Sequence, residues 1–392
     1  MSGGPIRHRN YRIMRVSALR DADASQVIYR DDPGLRSRSY AEQQRAWFAQ
    51  KVGHGDALAR AMKSMGHEAL EIVCDHEALQ RTWAFERGIK VDGVNWQSEI
   101  VLEQIAEWKP DILLLQNFDV LPASHRRELR DRVPSIEIVA IHQEPVHITS
   151  GVIRELASAD VLFATTPSLV HQCKEFGLPA HLVYGCFDPG VLSELPLPSR
   201  LDDQTFLDFT YFDVGEASGK FLDMDAACST LQHDTPLEVW SNRRNHSRRP
   251  AVAHSSSFGL DYYTALQRSR LTYLPHGDVF KGSAGQRALF EATGVGACAV
   301  TNEARNLVDL FEPDTEIVTY GCVEECVEKV GYLLEHESER QAIAAAGRAR
   351  TLANHSSRSR YSEINSVLQA ALAGKRRTVR TRWQGFSGAL GA

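Results

Sequence analysis

The sequence predicts an α/β protein of two doubly wound modules facing a cleft, and three observations lead there. Apolar strand-like runs alternate with helical patterns along most of the chain, the order that builds parallel sheets from βα units. At 392 residues the chain exceeds what one hydrophobic core supports. A Pro- and Asp-rich break, "DPGVLSELPLPSRLDDQT" (188–205), interrupts the alternation, which then restarts.

In the first half the predicted strands are "YRIMRVSA" (11–18), "EALEIVCD" (68–75), "DILLLQN" (111–117), "EIVAIHQ" (137–143), "VLFATT" (161–166) and "HLVYGCF" (181–187). Residues 19–38 are polar and strandless and read as a long loop. Helical patterns cover 39–66 and 98–109; Gly66 stops the first and Pro110 follows the second. The glycines around His54 mark an interruption of the first pattern, or a turn near an acceptor. Trp47 and Trp83, on amphipathic helices, are expected in the core rather than stacked on sugars.

In the second half the predicted strands are "FLDFTYF" (206–212), "LEVWSN" (237–242), "RLTYLP" (270–275), "GACAVTN" (296–302) and "EIVTY" (316–320), and two or three helices finish the chain. Val327, Val330, Leu333 and Leu334 form a helical stripe in the first of these. The division expected is 1–187, a linker at 188–205, 206–356, and a C-terminal segment 357–392. That last segment holds a helix returning toward the first module and a basic tail. Ligands of such sheets bind where strand C-termini and helix N-termini meet.

Composition narrows the function. The chain is 43% hydrophobic and 24% charged, as soluble globular proteins are. A formal charge of -6 argues against nucleic acid as a partner. The N-terminus lacks an apolar signal segment and seven cysteines are scattered without metal-ligand spacing; a cytoplasmic protein with reduced thiols is expected. The tail "GKRRTVRTRWQ" (374–384) is a solvated terminus, or a contact for an anionic membrane surface.

Chemistry concentrates in "GSAGQRALFEATGVGACAVTN" (282–302), where Glu291 sits among apolar helix positions. The preceding loop, Lys281 and Ser283–Arg287, offers backbone N–H groups at a helix N-terminus, a setting that favours an anion. Lys281 and Arg287 add full charges. Glu291 follows Arg287 at i+4, so the two share a helix face. One reading is a carboxylate that accepts two hydrogen bonds from a ribose diol beside a diphosphate. The other is an ordinary ion pair on a solvated face.

Four fragments carry a family resemblance: "RALFEATGVGACAVTN", "LFEPDTEIVTY", "EECVEKVGYLLEH" and "IAAAGRARTLANHSSRSR", in order within 270–361. The region resembles the C-terminal domain of glycosyltransferases with two Rossmann-like domains, the GT-B fold, and within them the spore-maturation and spore-coat glycosyltransferase-like group. "LARAMKSMGHEALEIV", "KPDILLLQN" and "GLPAHLVYGCFDP" extend the resemblance through the first half. It implies a retaining transfer from a nucleotide-diphosphate sugar such as a UDP-sugar; with lysine and arginine available for the diphosphate, neither a metal nor another cofactor is expected. Glu291 resembles the acid that holds the donor ribose, and Ser283, Ala284, Gly285, Gln286 and Arg287 the segment facing diphosphate and sugar. Many retaining relatives carry a further Glu where this chain has Ser283. His142 resembles a histidine near the donor sugar, the alternative being a satisfied strand-end histidine.

Other expected site residues follow strand ends. Glu144 is placed as acceptor binder or base, His276 and Asp278 on the donor side, and Arg243 and Arg244 as diphosphate partners. The acceptor is left open among polysaccharide, glycolipid, small molecule and protein, and so is the oligomeric state. Two rival functions share the architecture: a nucleotide-sugar epimerase, and a catalytically degenerate transferase-like binding or assembly protein.

Overall fold

The computed structural model describes residues 9–20, 24–53, 55–91, 93–196, 206–213, 222–241, 252–254, 258–277 and 280–388. It contains two six-stranded sheets whose neighbouring strands are all parallel. The first sheet holds β1 (Arg12–Ser17), β2 (Glu68–Val73), β3 (Ile112–Gln116), β4 (Ile138–Gln143), β5 (Val161–Ala164) and β6 (Ala180–Leu182), ordered β2-β1-β3-β4-β5-β6. The second holds β7 (Leu207–Asp213), β8 (Leu237–Ser241), β9 (Val252–His254), β10 (Ser269–Tyr273), β11 (Cys298–Asn302) and β12 (Val318–Tyr320), ordered β12-β11-β10-β7-β8-β9.

Both orders reverse once, between β1 and β3 and between β7 and β10. Such a reversal opens a crevice at the strand C-termini. The central strands β3 and β4 are buried along their whole length, as a parallel sheet covered on both faces requires. One face of the first sheet buries Met14, Leu113 and Ile141, and the other Ile13, Leu114 and Phe163. The second sheet repeats this with Phe290 and Leu289 on one side and Phe209 and Val300 on the other.

Several elements depart from expectation. Residues 24–37 are not a plain loop: helical turns at Ala24–Gln26, Val27–Asp31 and Pro33–Ser37 bury Ile28, Tyr29 and Leu35 with Trp47. Apolar residues spaced through a polar segment give too few repeats for a periodicity to be read. The pattern at 39–66 is two helices, Tyr40–Ala49 and Ala57–Ser64, separated by left-handed Lys51, Gly53 and Gly55. His54 itself lies outside the described residues. Trp47 and Trp83 are core residues. Strand β9 was not anticipated. Residues 183–187 leave the first sheet soon after Val183 N–H donates to Ala164 O at 2.9 Å.

The chain crosses between the modules twice, side by side. Phe187 N–H donates to His355 O at 2.9 Å and Ser357 N–H to Phe187 O at 2.7 Å. The final helix, Ser357–Gly388, then returns to the first module. Ile364, Leu368 and Leu372 enter its core, and Tyr11 donates to Asn365 Oδ1 at 2.6 Å. Among the described residues no helix is long and apolar enough to cross a membrane.

Candidate active site

Glu291 belongs to helix Arg287–Val295, whose N-terminus lies beyond the C-terminal end of β10. Apolar residues on either side, Phe290 and Ala292, are fully buried, and the small residues Thr293 and Gly294 let the helix sit close to its neighbours. Glu291 is only 5% exposed. Its Oε1 accepts from the Tyr263 hydroxyl at 2.9 Å and its Oε2 from the Tyr262 hydroxyl at 3.2 Å. Arg287 Nε lies 3.0 Å from Oε1. The i+4 pair thus exists, but in a buried setting rather than on a solvated face. Burial, with the adjacent carboxylate, pushes the Tyr263 phenol well above its ordinary range and keeps it a donor at neutral pH.

The loop before the helix is held from three sides. Asn306 brackets Ala284: its Oδ1 accepts from Ala284 N–H at 2.7 Å, and its Nδ2 donates to Ala284 O at 3.0 Å. The same Nδ2 lies 3.1 Å from the Tyr184 hydroxyl of the first module. Ser168 Oγ donates to Phe280 O at 2.9 Å, a second contact across the modules. Gly285 has φ 144°, and a Cβ there would stand 2.6 Å from Thr165 O. Its bare backbone therefore serves the junction between modules. Ser283 is buried, with its N–H on Phe280 O at 3.0 Å, whereas Lys281 is exposed.

His276 braces this loop. Its Nδ1 meets Gln286 Oε1 at 3.1 Å, while Gln286 Nε2 donates to Leu274 O at 2.8 Å. Its Nε2 lies 3.1 Å from Thr301 Oγ1. Burial lowers the imidazole pKa to about 4, so the ring is neutral at pH 7. His142, at the end of β4, is 8% exposed and donates from Nε2 to Val183 O at 3.1 Å. Burial likewise lowers it to about 4. A base so weak moves protons poorly near neutrality. Glu144 is partly exposed; its N–H donates to Asn117 Oδ1 at 2.8 Å, and Asn117 Nδ2 lies 3.4 Å from its Oε2.

The structure thus brings together Glu291, Arg287, the 281–286 loop and His276 around one helix N-terminus. Arg243, Arg244 and Asp278 lie outside the described residues. Sequence reasoning missed Tyr262, Tyr263, Asn306 and Tyr184. The tyrosines stand 28 and 29 residues before Glu291, in a helix whose pattern announces only a core face. Nothing in the spacing marks them as partners of an acid.

Comparisons with known proteins bear on the fold. Residues 224–366 match the family model described as glycosyl transferase-like. No curated protein matches the chain significantly. Among solved structures, the fold is similar to a glycosyltransferase from Rickettsia africae ESF-5. The TM-score is 0.57 and the identity 12%, over 93% of this chain and 99% of that one. It is also similar to Anabaena Alr3699/HepE in complex with UDP-glucose, with TM-score 0.59 and 11% identity over 92% of this chain and 100% of that one. A third is sucrose-phosphate synthase (tll1590) from Thermosynechococcus elongatus, with TM-score 0.56 and 10% identity over 93% and 100%. At such identities the likeness concerns the fold. With its two parallel sheets the chain has the GT-B fold, and within it residues 224–366 form a glycosyl transferase-like domain.

Proposed function

We propose that the chain is a glycosyltransferase that moves a sugar from a nucleotide-diphosphate donor, a UDP-sugar, to an acceptor hydroxyl, with retention and without a metal. The observation that carries the reading is the buried Glu291, fixed one turn inside a helix N-terminus beside the sheet's crevice. UDP-glucose bound to the structurally similar Anabaena protein favours the same donor class. The spore-coat-like grouping, and retention with it, rests on the motif resemblance alone.

Transfer breaks the bond between the anomeric carbon and the terminal phosphate oxygen, so negative charge grows on the diphosphate. Helix N-terminal amides, Arg287 and Lys281 supply fixed and mobile positive charge there. Glu291 accepts from the ribose hydroxyls and so anchors the nucleoside. His142, neutral and held by Val183, fits a hydrogen-bonding role toward the sugar better than proton transfer. Glu144, partly exposed beside Asn117, is the group left for the acceptor side.

Incubation with a panel of nucleotide sugars tests the reading: one donor releases free nucleoside diphosphate, and Glu291→Ala weakens donor binding without unfolding the chain. Release from none of them, with or without candidate acceptors, contradicts it. Addition of a chelator tests the metal. Turnover is expected to persist; its loss would contradict the metal-independent reading.

A further inference from the structure

We infer that Tyr262 and Tyr263 are positioning residues that set Glu291 for the ribose 2′- and 3′-hydroxyls, making the site selective for ribonucleotide over 2′-deoxyribonucleotide donors; this rests on the reading of Glu291 given above. Consecutive residues on a helix point about 100° apart, so two neighbours rarely serve one partner. Here both hydroxyls reach the same carboxylate, one on each oxygen, with ring centroids 5.3 Å apart. Glu291 is thereby held from two directions and its plane is set.

The rings are themselves fixed. Tyr262 meets Phe212 edge-on, with centroids 5.3 Å apart at 87°. Phe212 lies in β7, the strand beside the crevice. Tyr263 meets Phe187, at the crossing between modules, with centroids 6.3 Å apart. Both tyrosines are nearly buried, so their hydroxyls have little freedom to turn away. The hydroxyls therefore report the register of both modules to the acid.

Capacity remains for a ligand. An ionised carboxylate offers about four lone-pair sites. Tyr263 and the Arg287 guanidinium approach Oε1, and Tyr262 donates to Oε2. When a diphosphate draws Arg287 toward itself, a site on Oε1 opens next to the one remaining on Oε2. The two tyrosines keep the carboxylate in place while its cation changes partner. A cis-diol then bridges the two oxygens, whereas a 2′-deoxyribose supplies only one hydroxyl and leaves one site unfilled.

Titration of the full chain with UDP, 2′-deoxy-UDP and inorganic pyrophosphate tests this. Wild-type protein is expected to prefer UDP over 2′-deoxy-UDP by about 10-fold, the size of one hydrogen bond to a charged group. In Tyr263→Phe, and separately in Tyr262→Phe, the preference falls to about 2-fold or less as the carboxylate loses a fixed direction. Pyrophosphate affinity stays within about 2-fold, because the helix N-terminus is untouched. A tyrosine that only fills space would leave the preference unchanged. Retention of the full preference in both variants, and in the double variant, overturns the inference while leaving the role of Glu291 standing. Wild-type protein that binds UDP without any preference overturns the role of Glu291 and the inference with it.

Discussion

Gly285 of the second module lies directly against the Thr165 carbonyl of the first: a methyl group added there would stand 2.6 Å from that oxygen. The contact is made by the same loop that leads into the helix of Glu291. The same loop therefore joins the two modules and borders the candidate donor site.

Gly285→Ala should separate what the loop joins. Its φ of 144° strains any residue with a Cβ, and the added methyl collides with backbone rather than with a yielding side chain. A loss of about 1–3 kcal/mol is expected in urea unfolding, together with weaker nucleotide binding. Unchanged stability and affinity would show that the junction opens freely.

Gly294→Ala sets two effects in opposition. Alanine is the better helix former by about 1 kcal/mol. Its Cβ, however, would stand 2.4 Å from the Phe187 ring, which is fully buried at the crossing between modules. Overpacking costs about 1–3 kcal/mol and should prevail. A rise in melting temperature would mean that Phe187 has room to move.

Arg15 and Glu71 form a fully buried ion pair at 2.5 Å, and Arg15 Nη1 also donates to the Tyr361 hydroxyl of the final helix at 3.0 Å. Glu71 Oε1 accepts from Ala59 N–H at 2.9 Å. Removing one partner strands the other charge, so Arg15→Met should cost about 3–5 kcal/mol. The double variant Arg15→Met with Glu71→Leu should recover most of that loss. Tyr361→Phe should cost about 1 kcal/mol. Equilibrium unfolding of the four proteins checks the order.

Acid should destabilise the fold through its buried histidines. His76, His142, His276 and His355 are each lowered to about 4 by burial. In the unfolded chain an imidazole takes its proton near pH 6.5. Stability is therefore intact above about pH 6.5 and falls as pH drops toward 4, by about 3 kcal/mol for each histidine. His276→Gln should make the decline between those limits shallower by about one proton's slope, 1.4 kcal/mol per pH unit. An identical decline in wild type and variant would show that His276 takes its proton without unfolding.

What the sequence disclosed follows from the range of each interaction. Periodicity is local, so β3, β4 and the helix holding Glu291 were legible. The turns at 24–37 were not, because each is shorter than a pattern. The i+4 relation of Arg287 and Glu291 was visible, but its burial was not: that depends on Tyr262 and Tyr263, which tertiary packing brings to the acid. The role of Gly285 at the junction was equally hidden, since Thr165 lies 120 residues away along the chain. Anion-loop composition and close-packing composition look alike when written as letters.

A crystal structure of the chain with UDP bound tests the central claim most directly. The account predicts the diphosphate at the N-terminus of helix Arg287–Val295, Arg287 turned toward it, and both ribose hydroxyls within hydrogen-bond distance of Glu291. Diphosphate held elsewhere, or a ribose that leaves Glu291 with Tyr262, Tyr263 and Arg287 as its only partners, would contradict it.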